Sequence, residues 1–119
     1  MKLDNGIISI EIESHGAELK SAIKDGFEYM WCADGKYWAR TSPVLFPIVG
    51  SLKNKSYKLD GKAYQMNQHG FARDNEFELI DHDNASATYI FKDNEETLTK
   101  YPFKFDLTIK YTLINNRIK

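Results

Sequence analysis

Phe103-Lys104-Phe105-Asp106-Leu107-Thr108-Ile109-Lys110-Tyr111-Thr112-Leu113-Ile114 decides the fold class of this chain. Phe103, Phe105, Leu107, Ile109, Tyr111 and Leu113 fall on one side of an extended backbone, and Lys104, Asp106, Thr108, Lys110 and Thr112 fall on the other. Side chains alternate faces in this way only in a strand, so the stretch predicts a long antiparallel strand with one wet face. The same period recurs upstream. Ile8, Ile10 and Ile12 alternate with Ser9, Glu11 and Glu13. Past Gly16, the set Ala17, Leu19, Ser21 and Ile23 alternates with Glu18, Lys20 and Lys24, a second strand with the first set on its apolar side.

Turn pairs punctuate these runs: Asp25-Gly26, Asp34-Gly35, Asp60-Gly61, Asp83-Asn84 and Asn115-Asn116. Asp and Asn tolerate left-handed backbone and Gly adopts it freely, which suits tight hairpins. The first pair leads into a third strand, Phe27 to Trp31. Asp60-Gly61 joins Tyr57–Leu59 to Lys62–Met66, and Asp83-Asn84 joins Glu76–Ile80 to Ala87–Phe91. Asn94 to Thr99 is the one helical turn, ended before Pro102. There is no internal repeat, low-complexity segment or linker. The pattern predicts a single all-β unit over 1–119, an antiparallel sandwich or barrel or part of one.

After Asn115-Asn116, the residues Arg117-Ile118-Lys119 read as the start of a further strand. The 103–114 strand is therefore expected to have a bare edge, which invites self-association unless another element covers it. Truncation of a longer protein is the favoured reading.

The composition narrows the function classes. A chain of 119 residues holds one domain with a real core and not two. Sixteen basic and seventeen acidic residues are well mixed, for a net charge of −1. No basic stripe exists to neutralise a phosphate backbone, which argues against nucleic acid. The longest apolar run, Pro43 to Val49, is too short to span a bilayer, and Met1 to Gly6 has no apolar signal core. The single cysteine, Cys32, cannot form an internal disulfide and suits a reducing compartment, so a cytoplasmic location is expected.

Chemistry-bearing residues concentrate in Met66-Asn67-Gln68-His69-Gly70-Phe71-Ala72-Arg73-Asp74. An imidazole, two amides, a guanidinium and a carboxylate in one turn match what a polyol requires: forked donors and acceptors for hydroxyls at every carbon. The residues equally fit a bland arrangement, with His69 structural and Arg73 and Asp74 as a surface ion pair. A second polar stretch, Trp38-Ala39-Arg40-Thr41-Ser42-Pro43, carries another arginine. Trp38 beside Arg40 could stack on a sugar ring, while Trp31 and Trp38 could instead be core. Pro43 and Pro47 hold Leu45 to Gly50 extended, as a wall under the site. His15 and His82 lie by turns and read as solvated. The three histidines and Cys32 lack metal-ligand spacing, so no metal site is expected.

Arg40…Ser42-Pro43-Val44-Leu45-Phe46-Pro47…Gly50 followed by His69-Gly70-Phe71-Ala72-Arg73 resembles the aldose 1-epimerase (galactose mutarotase-like) superfamily. More narrowly, it is similar to the bacterial subgroup with the lactose-operon mutarotase-like proteins and the hexose-6-phosphate 1-epimerases. Gly16-Ala17-Glu18-Leu19 and Tyr101-Pro102-Phe103 fit as well, and the resemblance runs through essentially the whole chain. It implies the N-terminal portion of a large antiparallel supersandwich and an isomerase that interconverts the α and β anomers of a hexose or hexose phosphate. A glutamate takes the C1 hydroxyl proton, a histidine protonates the ring oxygen, the ring opens, and reclosure gives the other anomer. No cofactor is implied. Each positioned acid or base of this kind contributes about 10²–10⁴ in rate.

Carried over by this resemblance, Arg40 and His69 bind the sugar, His69 in a supporting role near the ring oxygen. Arg73 binds a hydroxyl or a phosphate. The principal acid histidine and base glutamate of the family lie beyond residue 119; Glu76, Glu78, Glu95 and Glu96 do not match the base. A non-catalytic carbohydrate-binding module, or a structural β domain that binds nothing small, are the other classes the residues admit.

Overall fold

The strand foreseen at 103–114 runs from Asp106 to Ile114 in the computed structural model, which describes all 119 residues. In chain order the elements are β1 (Lys2–Asp4), β2 (Ser9–Ile12), β3 (Leu19–Lys24), β4 (Phe27–Glu28), β5 (Ser56–Leu59), β6 (Lys62–Gln65), β7 (Glu78–His82), β8 (Ser86–Lys92), α1 (Glu95–Lys100), β9 (Asp106–Ile114) and β10 (Arg117–Ile118). They form an all-β arrangement of antiparallel sheets: β1-β2-β3-β4, β10-β9-β8-β7, and the two-stranded ribbon β5-β6.

One apolar cluster joins the two larger sheets. Leu3, Ile8, Ile10, Ile12 and Ala22 enter it from the first, and Ala87, Tyr89, Phe91 and Leu113 from the second. Ala17, Met66, Phe71, Ala72 and Phe77 complete it, so the candidate site segment is tied directly to the core. The slab is flat, 54 × 34 × 18 Å, with a radius of gyration of 16.5 Å. A compact chain of this length would measure roughly 13–14 Å.

Three local expectations shift, each for a physical reason. First, β9 starts three residues late. The Asp93 carboxylate captures the Phe105 N–H at 3.0 Å and the Phe103 N–H turns back to the Tyr101 carbonyl, so the chain bends before Asp106. Secondly, the third strand stops at Glu28. One Glu28 carboxylate oxygen accepts the N–H groups of Ala22 and Met30, and the other accepts the Ser21 hydroxyl. Side chain thus replaces ladder. Thirdly, the apolar side of β3 is not the alternation expected. Pairing passes from Glu11↔Ser21 to Ile12↔Leu19, which leaves Lys20 as a bulge. An extra residue inverts the facing of the strand beyond it. Ala22, opposite Ile10, is therefore buried, while Ile23 is exposed.

The single α-helix lies where expected. Asn94 caps α1 by accepting the Thr97 N–H, while the Thr97 hydroxyl accepts the Asn94 N–H. β9 pairs with β8 from Lys92↔Asp106 to Ser86↔Thr112. Its other edge meets β10 at Ile114 and Leu113, and Thr112 exchanges two backbone bonds of 2.9 Å with Lys119.

Candidate functional site

The β5–β6 hairpin delivers the chain to Met66, whose N–H bonds the Lys55 carbonyl. From there His69 and Gly70 take successive left-handed conformations, with φ of 64° and 74°. Left-handed backbone is rare outside glycine, and a bond network must hold it. Here the holder is Gly50. It accepts the His69 backbone N–H at 2.8 Å and donates its own N–H to His69 Nδ1 at 2.8 Å. With Nδ1 accepting, the ring hydrogen sits on Nε2, which makes no hydrogen bond within the chain. The stretch Leu45–Gly50 is not extended throughout as expected: it bends at Pro47, after a cis Phe46-Pro47 bond, and again at Val49 and at Gly50, where φ is 82°. Phe46 nevertheless packs against the segment. Phe46 O accepts the N–H groups of both Phe71 and Ala72, and its ring packs on Phe71, Tyr101 and Phe105.

Arg73 and Asp74 follow in a short 3-10 turn, Ala72–Asp74. The Arg73–Asp74 ion pair is present but long, with Arg73 Nε 3.9 Å from Asp74 Oδ2. Asp74 Oδ1 receives Arg40 Nη2 at 2.6 Å, and Arg40 Nη1 reaches the Arg73 carbonyl at 3.3 Å. Arg73 Nη2 donates to the Gln68 carbonyl at 2.9 Å, and its buried Nε has no hydrogen-bond partner. The two arginines therefore flank one carboxylate, which leaves a surplus positive charge. The structure brings Arg40, Arg73 and Asp74 together, and connects Arg73 to the residue before His69.

Sequence reasoning placed Glu18 on a wet face and missed its part here. It is 5% exposed. Its Oε1 accepts the N–H groups of Thr41 and Ser42 at 2.7 and 2.8 Å, directly after Arg40. The signal available was a carboxylate behind Gly16-Ala17, two successive residues in left-handed conformation. Alternation cannot be counted through such a corner. Trp31 and Trp38 are both largely exposed, so the core reading of these tryptophans does not hold. The Trp31 indole N–H bonds the Trp38 carbonyl at 2.7 Å. A cleft of about 120 Å³ reaches the Met66–Asp74 segment; Asn67, Gly70, Asp74, Asn75, Glu96 and Lys100 are among its lining, but Arg40, His69 and Arg73 are not. Small-molecule pockets usually span about 300–1,000 Å³.

His82 is exposed as expected, but His15 is engaged. Its Nδ1 lies 2.9 Å from Glu76 Oε1, and the Ser14 hydroxyl donates to Oε2. The Ser14 bond, then the His15 bond, hold the Glu76 carboxyl below its ordinary value of 4.5. A depressed carboxylate stabilises the fold above its unfolded pKa, and that stabilisation is lost as pH falls through the folded one. The corner between Ser14 and Asn75 should therefore loosen only below pH 4.5. Following its amides by NMR in an acid titration checks this, and Glu76→Gln should abolish the response.

Comparison with known proteins gives this geometry a lineage. Residues 1–119 match aldose 1-epimerase over their full length. The chain belongs to the aldose 1-epimerase family. A galactose mutarotase related enzyme from Lactobacillus acidophilus is 46% identical and superposes with a TM-score of 0.98, over 99% of this chain and 40% of that one. A galactose mutarotase-like protein from Lactobacillus casei is 37% identical with a TM-score of 0.96, over 99% and 41%. The chromosomal LacX protein of Lactococcus lactis subsp. lactis is 36% identical over 125 residues, covering all of this chain and 42% of that protein. This member of the aldose 1-epimerase family thus spans about two fifths of the length of these relatives. No helix is long and apolar enough to cross a membrane.

Proposed function

We propose that this chain supplies the sugar-holding side of an aldose 1-epimerase-like enzyme that interconverts the anomers of a hexose or hexose phosphate. His69 is the observation that carries the reading. Its Nδ1 is occupied by the Gly50 N–H, so its Nε2–H is presented as a fixed donor. A donor held in this way suits a ring or hydroxyl oxygen of a pyranose and a supporting role, while a separate acid moves the proton. Arg40 orients the sugar through a guanidinium already braced by Asp74. Arg73, with a buried Nε that lacks a partner, buttresses the loop through the Gln68 carbonyl. The surplus positive charge of the pair would suit a phosphate as readily as a hydroxyl.

No carboxylate at these residues is free to act as base. Asp74 holds Arg40, and Glu18 holds two amides. The 1–119 chain alone is therefore expected to give no mutarotation of glucose or galactose above the spontaneous rate in a polarimeter. Clear catalysis would sink this division of labour. A second reading is a non-catalytic carbohydrate-binding unit, which the same Arg40 and His69 would serve. Hexose-induced changes in tryptophan fluorescence, with no catalysis by any longer form that carries a downstream histidine and glutamate, would select it. A panel of hexoses and hexose phosphates that elicits no response at all would point to a purely structural domain.

A further inference from the structure

We propose that Glu18 is a positioning residue for Arg40, its buried carboxylate fixing the path of the loop that presents the guanidinium. The inference rests on the reading of Arg40 as a substrate-binding residue. A carboxylate this buried is tolerated only when hydrogen bonds compensate it. Here two consecutive backbone N–H groups, Thr41 and Ser42, converge on a single oxygen, while Lys20 Nζ stands 3.7 Å from the other. Neither amide belongs to a strand or helix, so without Glu18 both lose their acceptor. Thr41 is itself buried, which makes that loss costly. The Ser42 hydroxyl adds a third tie, to the Leu19 carbonyl at 2.7 Å. These bonds fix the peptide that leaves Arg40, from which its side chain reaches Asp74 and the Arg73 carbonyl.

The same corner grips the other arginine loop. The Gly16 N–H donates to the Asn75 carbonyl at 2.8 Å, and a Cβ at Gly16 would stand 3.0 Å from the Arg73 carbonyl oxygen. Residues 16–18 thus touch the backbone of both loops and set the separation of Arg40 and Arg73. Glutamate reaches the two amides with one oxygen, which a glutamine carbonyl can reproduce. Aspartate, one methylene shorter, keeps the charge but withdraws the acceptor.

The test uses ¹⁵N-labelled chain with Glu18→Gln, Glu18→Asp, Arg40→Ala and the Glu18→Asp/Arg40→Ala double variant. Three readouts are followed: amide exchange at Thr41 and Ser42, the Arg40 Nε–H resonance, and titration with galactose and glucose 6-phosphate. Glu18→Asp should speed exchange at both amides by at least about tenfold, displace the Arg40 resonance and weaken sugar binding as much as Arg40→Ala. The double variant should bind no more weakly than Arg40→Ala, since both changes remove one interaction. Glu18→Gln should stay within about threefold of the parent in exchange and affinity. Unchanged exchange in Glu18→Asp, additive losses in the double variant, or an equal loss of protection throughout β2 and β8 would each overturn the proposal. If the parent chain binds neither sugar, the proposed function falls, and exchange with the Arg40 resonance still decides the role of Glu18.

Discussion

Gly70→Ala should cost this fold about 3 kcal/mol or more, among the largest effects of any single methyl group here. A Cβ at Gly70 would lie 2.1 Å from Phe46 O, 2.4 Å from Phe46 C and 2.6 Å from Pro47 N. All three atoms are backbone, and Phe46 O already accepts from Phe71 and Ala72. Relief therefore requires the two segments to part, which breaks those bonds and unseats the Phe46 ring from its aromatic neighbours. The left-handed φ of 74° adds a further cost for a residue with a side chain. A thermal melt should show a midpoint lower by about 10 °C or more. Gly61→Ala is the internal control. Its φ is 77°, but no atom lies within 4 Å of the added Cβ. Only the conformational cost, about 1 kcal/mol, should appear there. Equal melts for the two variants would refute the close-approach argument.

On the proposed function, Arg40→Ala and His69→Ala should each reduce kcat/KM by about 10- to 100-fold in any longer form that catalyses mutarotation, the range expected when a hydrogen bond to a charged or developing charge is lost. The two differ in their side effects. Removal of Arg40 frees Asp74, whose nearest remaining cation is Arg73 at 3.9 Å. Part of the Arg40→Ala loss should then come from a newly neutralised Arg73, and Arg40→Ala/Asp74→Asn should recover some of it. Removal of His69 leaves the Gly50 N–H without its acceptor, so that variant should also lose about 1 kcal/mol of stability. Steady-state kinetics beside chemical denaturation separates the two. Near-parental rates in both variants would remove Arg40 and His69 from the site.

Much of the architecture was legible because it is written in short-range alternation. The runs at 8–12, 57–66, 87–91 and 106–114 carry the period of two and the turn residues between them. What was not legible depends on side chains that reach across the chain. The Lys20 bulge inverts β3 without any change in the local pattern, because the extra residue is defined only by its partner strand. Glu28 ends β4 by taking amides into its own carboxylate. In the site, His69, Arg40 and Arg73 stood out by their chemistry, and the motif they form resembles a known family. Their bracing did not. Asp74 is adjacent to Arg73 in sequence yet bonds Arg40, and the Gly50 and Glu18 contacts join loops that no local rule connects.

That wiring has a consequence for how the molecule opens. The bonds that build the site span 23 and 24 residues at Glu18, 19 at His69, and 33 and 34 at Arg40. Each closes a loop whose ordering costs chain entropy, and each runs through a side chain and not a sheet ladder. The β7–β8–β9 meander, by contrast, is held by continuous ladders in which each bond supports the next. Sub-global unfolding should therefore begin where the arginine loops meet. A molecule that retains its sheets can already have lost the Arg40–Asp74 and His69–Gly50 contacts, and any ligand held there would act first on that local equilibrium.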